Sequence, residues 1–171
     1  MTPSSPRAQQ HATRAAFFIP GFATAAWAPM VPFAKAKAGL SDASLGGLLL
    51  CLGLGSLLAM PLAGALTARL GSRRLMIATT ALILLALPLL TLAPTPLALG
   101  ATLFVFGAGV GAMDCTMNMQ AVAVERDAGR PMMSGFHAFY SIGGFVGAGC
   151  MTGLLVLGTP LWLASLVAVA A

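Results

Sequence analysis

Asp114 is a carboxylate inside a long run of apolar helix-forming residues, in the stretch GVGAMDCTMNMQAVAVERD that covers 109–127. An ionised carboxylate near the centre of a bilayer-spanning helix costs about 2.5 to 3.5 kcal/mol on insertion scales, so such a residue usually has a function that offsets the cost. Asn118 follows one turn later on the same helix face and can hydrogen-bond the carboxyl group. We therefore expect Asp114 to bind a coupling proton, because burial favours the neutral carboxyl group, and expect its charge to bias two conformations of the protein.

A purely structural role for Asp114 is the alternative. The carboxyl group would then stay neutral, or would pair with a basic group on another helix, and would only hold the helices together. Ionisable groups at membrane depth more often mark a transport pathway, which favours the functional interpretation.

Asn118 and four further residues have side chains suited to binding a polar solute. His137, Tyr140 and Ser141 are spaced i, i+3 and i+4, so they share one helix face. Trp27 offers an indole ring on which a sugar can stack, with Pro29 and Pro32 behind it in a segment that we expect to bend. His, Tyr and Trp also occur near the membrane interfaces, where a polar tip reaches water, and that alternative stays open for His137, Tyr140 and Trp27.

The elements that position these residues must be membrane helices. The chain has 171 residues, of which 58% are hydrophobic and only 8% charged, whereas soluble domains carry about 25% charged residues. Five apolar segments approach or exceed the ~20 residues that cross a bilayer. They cover about 15–34, 45–67, 75–93, 97–124 and 132–157, and a sixth, incomplete segment covers 161–171. Residues 1–14 are polar and are expected to form a disordered cytoplasmic tail ahead of a transmembrane bundle at 15–171.

The basic residues between the segments predict the orientation. With the N-terminus inside, the cytoplasmic connections hold seven arginines, against Lys35 and Lys37 outside. The excess favours a cytoplasmic N-terminus. A signal peptide cleaved after the Ala-x-Ala at 23–25 is the alternative, but the apolar run continues to Phe33 and favours an uncleaved anchor.

Small residues at four-residue spacing predict close helix packing. Such stripes let helix backbones approach in lipid, where the hydrophobic effect does little to hold helices together. The stripes consist of Gly47, Cys51, Gly55 and Ala59, of Gly107 and Gly111, and of Gly143 and Gly147. We further expect Thr116 and Gln120 to make packing hydrogen bonds.

The connection GALTARLGSRR at 64–74 resembles the G-x-x-x-D-R-x-G-x-R-R loop of the major facilitator superfamily. Ala68 stands where that family usually has an acidic residue, which removes an interaction that helps to fasten the two halves of such proteins together. The matching positions are Gly64, Arg69, Gly71, Arg73 and Arg74.

Two later stretches, GAGVGAMDCTMN at 107–118 and VERDAGRPMMSGFHAFYSIGGFVGA at 124–148, resemble the sugar-permease branch that includes fucose-proton symporters. The resemblance covers residues 14–171. It implies an all-α polytopic helix bundle: a partial N-terminal half of a major facilitator fold, with five full spans and the start of a sixth out of twelve. It also implies an inner-membrane permease that moves a small polar solute, plausibly a sugar, by alternating access with protons. The partners implied are the lipid bilayer, the solute and the missing C-terminal half or a second chain, with no cofactor.

Other classes of function fit less well. The sequence has no nucleophile elbow, zinc-protease motif or phosphate loop, so we do not expect an enzyme, and no metal site is expected. The basic residues form no patch with interleaved aromatic residues, so we do not expect nucleic-acid binding. A truncated or split membrane protein without transport activity, or a half-transporter that needs a second chain, remains as the main alternative.

Overall fold

The computed structural model of the protein describes residues 5–170, which form an all-α bundle without a β-strand. Five segments are long and apolar enough to cross a bilayer, which confirms the expected polytopic helical fold. The elements in chain order are α1 (Pro6–Trp27), a 3-10 turn (Ala28–Met30), α2 (Val31–Lys37), α3 (Asp42–Leu70), α4 (Ser72–Leu92), α5 (Pro96–Ala128), α6 (Met133–Val156) and α7 (Leu161–Ala170).

The first helix begins earlier than the sequence suggested. The expected disordered tail over residues 1–14 is wrong for residues 6–14, which are the first turns of α1. Ser5 caps this helix, because its hydroxyl oxygen accepts the N–H of Ala8 at 3.3 Å. Pro6 stands at the first helical position, where its missing N–H leaves no helical hydrogen bond unmade. Residues 1–4 lie outside the described part of the chain.

The proline-rich end of the first span changes geometry. Pro29 lies in the 3-10 turn that separates α1 from the short helix α2. Proline provides no N–H for the regular helical ladder, which accounts for the interruption. Helix α2 then carries Lys35 and Lys37 to the far end of the bundle, where Lys37 Nζ donates to the backbone carbonyl of Thr91 at 2.8 Å.

Helices α3 and α5 run parallel and touch through glycine. A Cβ placed on Gly107 would lie 2.0 Å from the carbonyl oxygen of Leu52, and one on Gly55 would lie 2.1 Å from that of Phe104. A Cβ on Gly111 would lie 2.4 Å from Ser56 Oγ and 2.6 Å from the Cα of Ser56. No side chain fits at these three positions, so the predicted small-residue packing is confirmed there.

Helices α1 and α6 form a second parallel pair of the same kind. A Cβ on Gly143 would lie 2.3 Å from the carbonyl oxygen of Phe18, and one on Gly147 would lie 2.2 Å from that of Phe22. Gly21 of α1 completes the contact against the backbone of Tyr140. The two pairs run in opposite directions across the bundle and are each closed by three glycines.

Helix α5 also packs antiparallel to α4, so the connections gather at two ends. We call the end with Arg7, Arg14, Arg69, Arg73, Arg74, Arg126 and Arg130 the arginine end, and the end with Lys35 and Lys37 the lysine end. At the lysine end, Lys35 forms an ion pair with Asp42. The arginine end contains the start of α1 and the α3–α4 and α5–α6 turns.

Helices α3 and α6 leave most of their surface uncovered by the described chain. Only 11% of the most apolar window of α3 and 17% of that of α6 are buried, against 39 to 44% in the other three spans. Large apolar side chains such as Leu50 and Phe145 are exposed on them. These faces therefore contact lipid or further protein.

Candidate functional site

Asp114 lies close to the middle of the longest helix. It is about 27 Å from the start of α5 and about 21 Å from its end, at about 1.5 Å per residue. Since the hydrocarbon core of a bilayer is about 30 Å thick, both ends of α5 extend beyond it and Asp114 stays inside. The side chain is half-buried.

The side chain of Asn118 supplies the amide group that the four-residue spacing predicted beside Asp114. Its Nδ2 donates to the backbone carbonyl of Asp114 at 2.9 Å and lies 3.4 Å from the carboxylate Oδ1. The second contact is at the long limit for a hydrogen bond, so the amide primarily engages the backbone. The carboxyl group therefore retains unused hydrogen-bonding capacity.

The carboxylate has no basic partner within the described chain. Within residues 5–170, Lys35 forms an ion pair with Asp42, whereas Asp114 has no basic nitrogen within 4.0 Å. The structural alternative in which Asp114 is held by a basic group on another helix therefore has no such group among these residues. What remains is a half-buried carboxyl group at membrane depth beside an amide.

The neighbours of Asp114 on α5 show which helices flank it. Gly111 meets α3 at Ser56, and Cys115 faces Gly64 of the same helix. On another side, Met113 Sδ accepts a hydrogen bond from Thr79 Oγ1 of α4 at 3.2 Å. Asp114 thus projects from a helix whose adjacent positions are fixed by packing, which limits rotation of its backbone.

The predicted solute-binding residues of α6 lie near its first turns. His137 is exposed, and its ring meets the buried ring of Phe17 edge-on with centroids 5.1 Å apart. Ser141 is exposed and its hydroxyl lies 3.4 Å from the carbonyl oxygen of His137. Tyr140 is half-buried, with its backbone against Gly21. The side chains of His137 and Ser141 are thus available to a ligand in this conformation.

Trp27 is in a different environment. Its side chain is only 4% exposed and belongs to the apolar core. The indole Nε1 has no hydrogen-bond partner, and an unpaired buried donor is costly. The ring therefore presents no open stacking face in this conformation, and a contact with a solute would require the surrounding helices to move.

The α3–α4 connection is a single residue held by two polar contacts. Gly71 joins the helices with a φ of +83°, a value that favours glycine. Thr67 and Thr116 lie within hydrogen-bonding distance at 3.3 Å, and Ser72 donates to Gln120. The expected packing hydrogen bonds of Thr116 and Gln120 are thus both present, and they tie this turn to α5.

The exposed residues of this connection include its arginines. The side chains of Arg69, Arg73 and Arg74 reach solvent, as does Ala68. Gly64 has free space around it, since a Cβ there would only touch Cys115 Sγ at 3.9 Å. Of the two glycines, only Gly71 is thus required by the local backbone.

Glu125 is a structural residue that the sequence pattern did not reveal. Its Oε2 accepts the backbone N–H groups of Met132 and Met133 at 2.6 and 2.7 Å. These groups belong to the start of α6, whose N–H donors have no helical partners. Glu125 therefore caps the next helix. The sequence did contain one signal for this role. Met132, the residue before α6, has no side chain that could cap the helix, so another residue must supply the acceptor.

Removal of this cap has a testable effect. Glu125→Ala is expected to lower the unfolding midpoint and to speed amide hydrogen exchange at residues 132–136, because two donors lose their acceptor. Glu125→Gln keeps an acceptor oxygen and should lie between Glu125→Ala and the wild type. Asp127→Asn, an exposed acid two residues away, serves as control. Unchanged exchange at Met132 and Met133 in Glu125→Ala would contradict the capping role.

Comparison with known proteins supplies the family relationship. The chain is 58% identical over 150 residues, 88% of its length, to an uncharacterized MFS-type transporter of Yersinia pestis. It is related to MFS-type transporters. It is also 39% identical over 153 residues to an uncharacterized transporter of Sinorhizobium fredii and 41% identical over 136 residues to the membrane protein MosC of Rhizobium meliloti. No family model and no solved structure matches the chain.

The chain spans much less than the full length of these MFS-type and membrane relatives. It covers 39% of the Yersinia protein, 41% of the Sinorhizobium protein and 33% of MosC. The relationship and the five apolar helices together establish an integral membrane protein related to MFS-type transporters.

Proposed function

We propose that the protein is a transmembrane transporter that moves a small polar solute by alternating access, with a sugar as the first candidate and a proton as the coupling ion. The observation that carries the proposal is Asp114, a half-buried carboxyl group in the middle of α5 with no ion pair between residues 5 and 170. Named transporters among the relatives support the general class.

Asp114 is the proposed proton carrier. An uncompensated carboxylate is costly at this depth, so protonation relieves the cost in a state that is closed to water and ionisation is favoured in a state that is open. The two forms thereby stabilise two conformations to different degrees, which is the requirement for coupling. Asn118 lies beside the carboxyl group, with its Nδ2 3.4 Å from Asp114 Oδ1.

The solute site is proposed to lie between Asp114 and the start of α6. Asn118, His137, Tyr140 and Ser141 supply amide, imidazole and hydroxyl groups that can donate to and accept from sugar hydroxyls. Trp27 would join them only after a change in the packing around it, since it is buried here. The resemblance to fucose-proton symporters supports a sugar as the first class to test.

The proposed orientation places the arginine end in the cytoplasm of a bacterial-type inner membrane. Seven arginines at that end against Lys35 and Lys37 at the other agree with the excess of positive charge on cytoplasmic connections. The loop residues Gly64, Arg69, Gly71, Arg73 and Arg74 would then form part of the inner gate. The start of α1 would then lie on the cytoplasmic side.

Thermal unfolding of the purified full-length protein tests the solute class. Sugars and polyols at saturating concentration should raise the midpoint, since a ligand at 100 times its Kd stabilises by about 2.7 kcal/mol. Asn118→Leu should abolish the shift, whereas Gln10→Leu, which removes an amide near the arginine end, should retain it. A shift produced only by amino acids or nucleosides would exclude a sugar as the solute, and one that persists in Asn118→Leu would exclude the proposed site.

The uncovered faces of α3 and α6 support one alternative: a protein without transport activity of its own, or a half-transporter that pairs with a second chain. The intact mass of the native product distinguishes this alternative from a complete transporter. A product near 17.3 kDa favours the alternative. A product more than twice as heavy, as a twelve-helix protein requires, favours a complete transporter.

A further inference from the structure

A cavity at the arginine end, remote from Asp114, has a cationic lining. Its volume is about 200 Å³, and Arg14 of α1 and Arg130 of the α5–α6 turn both line it. The remaining lining residues are Pro131, Met132, Gly135 and Phe136. No carboxylate contributes to the lining, so the cavity presents two positive charges above an apolar floor.

The two arginines of this cavity are not ion-paired with a carboxylate. Glu125 lies nearby, since it lines an adjacent pocket together with Arg130, and its Oε2 accepts the N–H groups of Met132 and Met133. Arg14 lies over the ring of Phe139 at 5.8 Å and has an Nη1 3.5 Å from His11 Nδ1. Neither contact carries negative charge. Within residues 5–170, Arg14 and Arg130 form no ion pair.

A second cavity continues from the same arginine along the helices. It measures about 350 Å³ and is lined mainly by Ala15, Phe18, Ile19 and Phe139, with His11 and Arg14 at one end. Ile19 lies about 7 Å deeper along α1 than Arg14, at about 1.5 Å per residue. Arg14 therefore joins a cationic pocket to an apolar slot that leads toward the interior of the bilayer.

We propose that the two cavities together bind one anionic phospholipid from the leaflet that the arginine end faces. The phosphate group lies between Arg14 and Arg130, because guanidinium groups bind phosphate oxygens in a bidentate manner. An acyl chain follows the slot beside Phe18 and Phe139. A free phosphate would fill only the first cavity, whereas a lipid accounts for both and for their shared arginine.

Native mass spectrometry of the full-length protein tests the site with phosphatidylglycerol and phosphatidylcholine of equal chain length. Each cationic side chain near an anionic headgroup contributes about 1 kcal/mol, so Arg14→Gln should lower the phosphatidylglycerol preference about fivefold. Arg14→Gln with Arg130→Gln should lower it about 25-fold. Arg74→Gln makes the same charge change at the same end but outside both cavities, and should leave the preference unaltered. An undiminished preference in the double variant, or an equal loss in Arg74→Gln, overturns the proposal.

Two further measurements keep the proposal testable if the variants do not fold. A photoactivatable phosphatidylglycerol added to the wild-type protein should label the peptides that contain Phe18 and Phe139, and labelling confined to α3 overturns the site. Millimolar inorganic phosphate should not displace the lipid. Displacement would show that the pocket takes free phosphate and would also overturn the proposal.

Discussion

Gly147→Leu is expected to prevent α1 and α6 from packing and so to abolish the folded bundle. Even a Cβ at this position would lie 2.2 Å from the carbonyl oxygen of Phe22, and the nearest atoms are all backbone. Backbone atoms cannot rotate away as a side chain can, so the helices must separate along their length. We expect a loss of at least about 3 kcal/mol, the upper end of usual overpacking costs. The midpoint of unfolding in a denaturing detergent and the yield of monodisperse protein measure it.

Gly149→Leu is the matched control for this change. It lies two residues further along the same helix, and a Cβ there would meet nothing within 4 Å. The added apolar side chain would meet no atom of residues 5–170 near its Cβ and should leave the free energy of unfolding within about 0.5 kcal/mol of the wild type. Equal damage from both substitutions would show that α6 itself tolerates no leucine, and would contradict the role of the α1–α6 contact.

The glycine pattern shows how far helix packing can be predicted from sequence. The four-residue spacing predicted Gly107, Gly111, Gly143 and Gly147 correctly, because a stripe of small residues marks one face of a helix. It did not reveal Gly21, which has no glycine partner four residues away, and it included Gly47, which meets nothing within 4 Å. Spacing describes one helix, whereas contact depends on where a second helix crosses it.

The helix ends show a similar limit. The polar composition of residues 6–14 predicted disorder, yet the Ser5 cap and Pro6 start a helix there. Composition measures average polarity, while a single cap and the packing of the following turns decide where a helix begins. Glu125 was missed for the same reason: its partners belong to the next helix, and the turn geometry that brings them together is not encoded in a short motif.

Only those contacts of the candidate site that lie within one helix could be predicted from the sequence. The Asp114–Asn118 contact follows from helix geometry, and both residues are on one face as expected. That Asp114 makes no ion pair with residues 5–170, and that Trp27 is buried, both depend on how the helices rotate and cross. Residues that share a helix can therefore be grouped from sequence, whereas residues on different helices cannot.

Asp114→Asn is expected to abolish proton-driven accumulation while solute exchange continues. Asparagine has nearly the same shape as aspartate and keeps a side-chain oxygen near Asn118, but it cannot bind and release a proton at physiological pH. One charge moved through 100 mV corresponds to about 2.3 kcal/mol, which can drive accumulation about 50-fold. The variant should lose this gradient entirely and equilibrate its solute across the membrane.

Transport in sealed vesicles separates the two activities. Uptake with an imposed proton gradient measures accumulation, and counterflow from solute-loaded vesicles without a gradient measures exchange. Asp127→Asn removes an exposed carboxylate from the arginine end of the same helix and should retain both. If Asp114→Asn accumulates solute as the wild type does, Asp114 is not the proton carrier. If it loses exchange as well while remaining folded, Asp114 contacts the solute or supports the site, and the coupling proton must reside elsewhere.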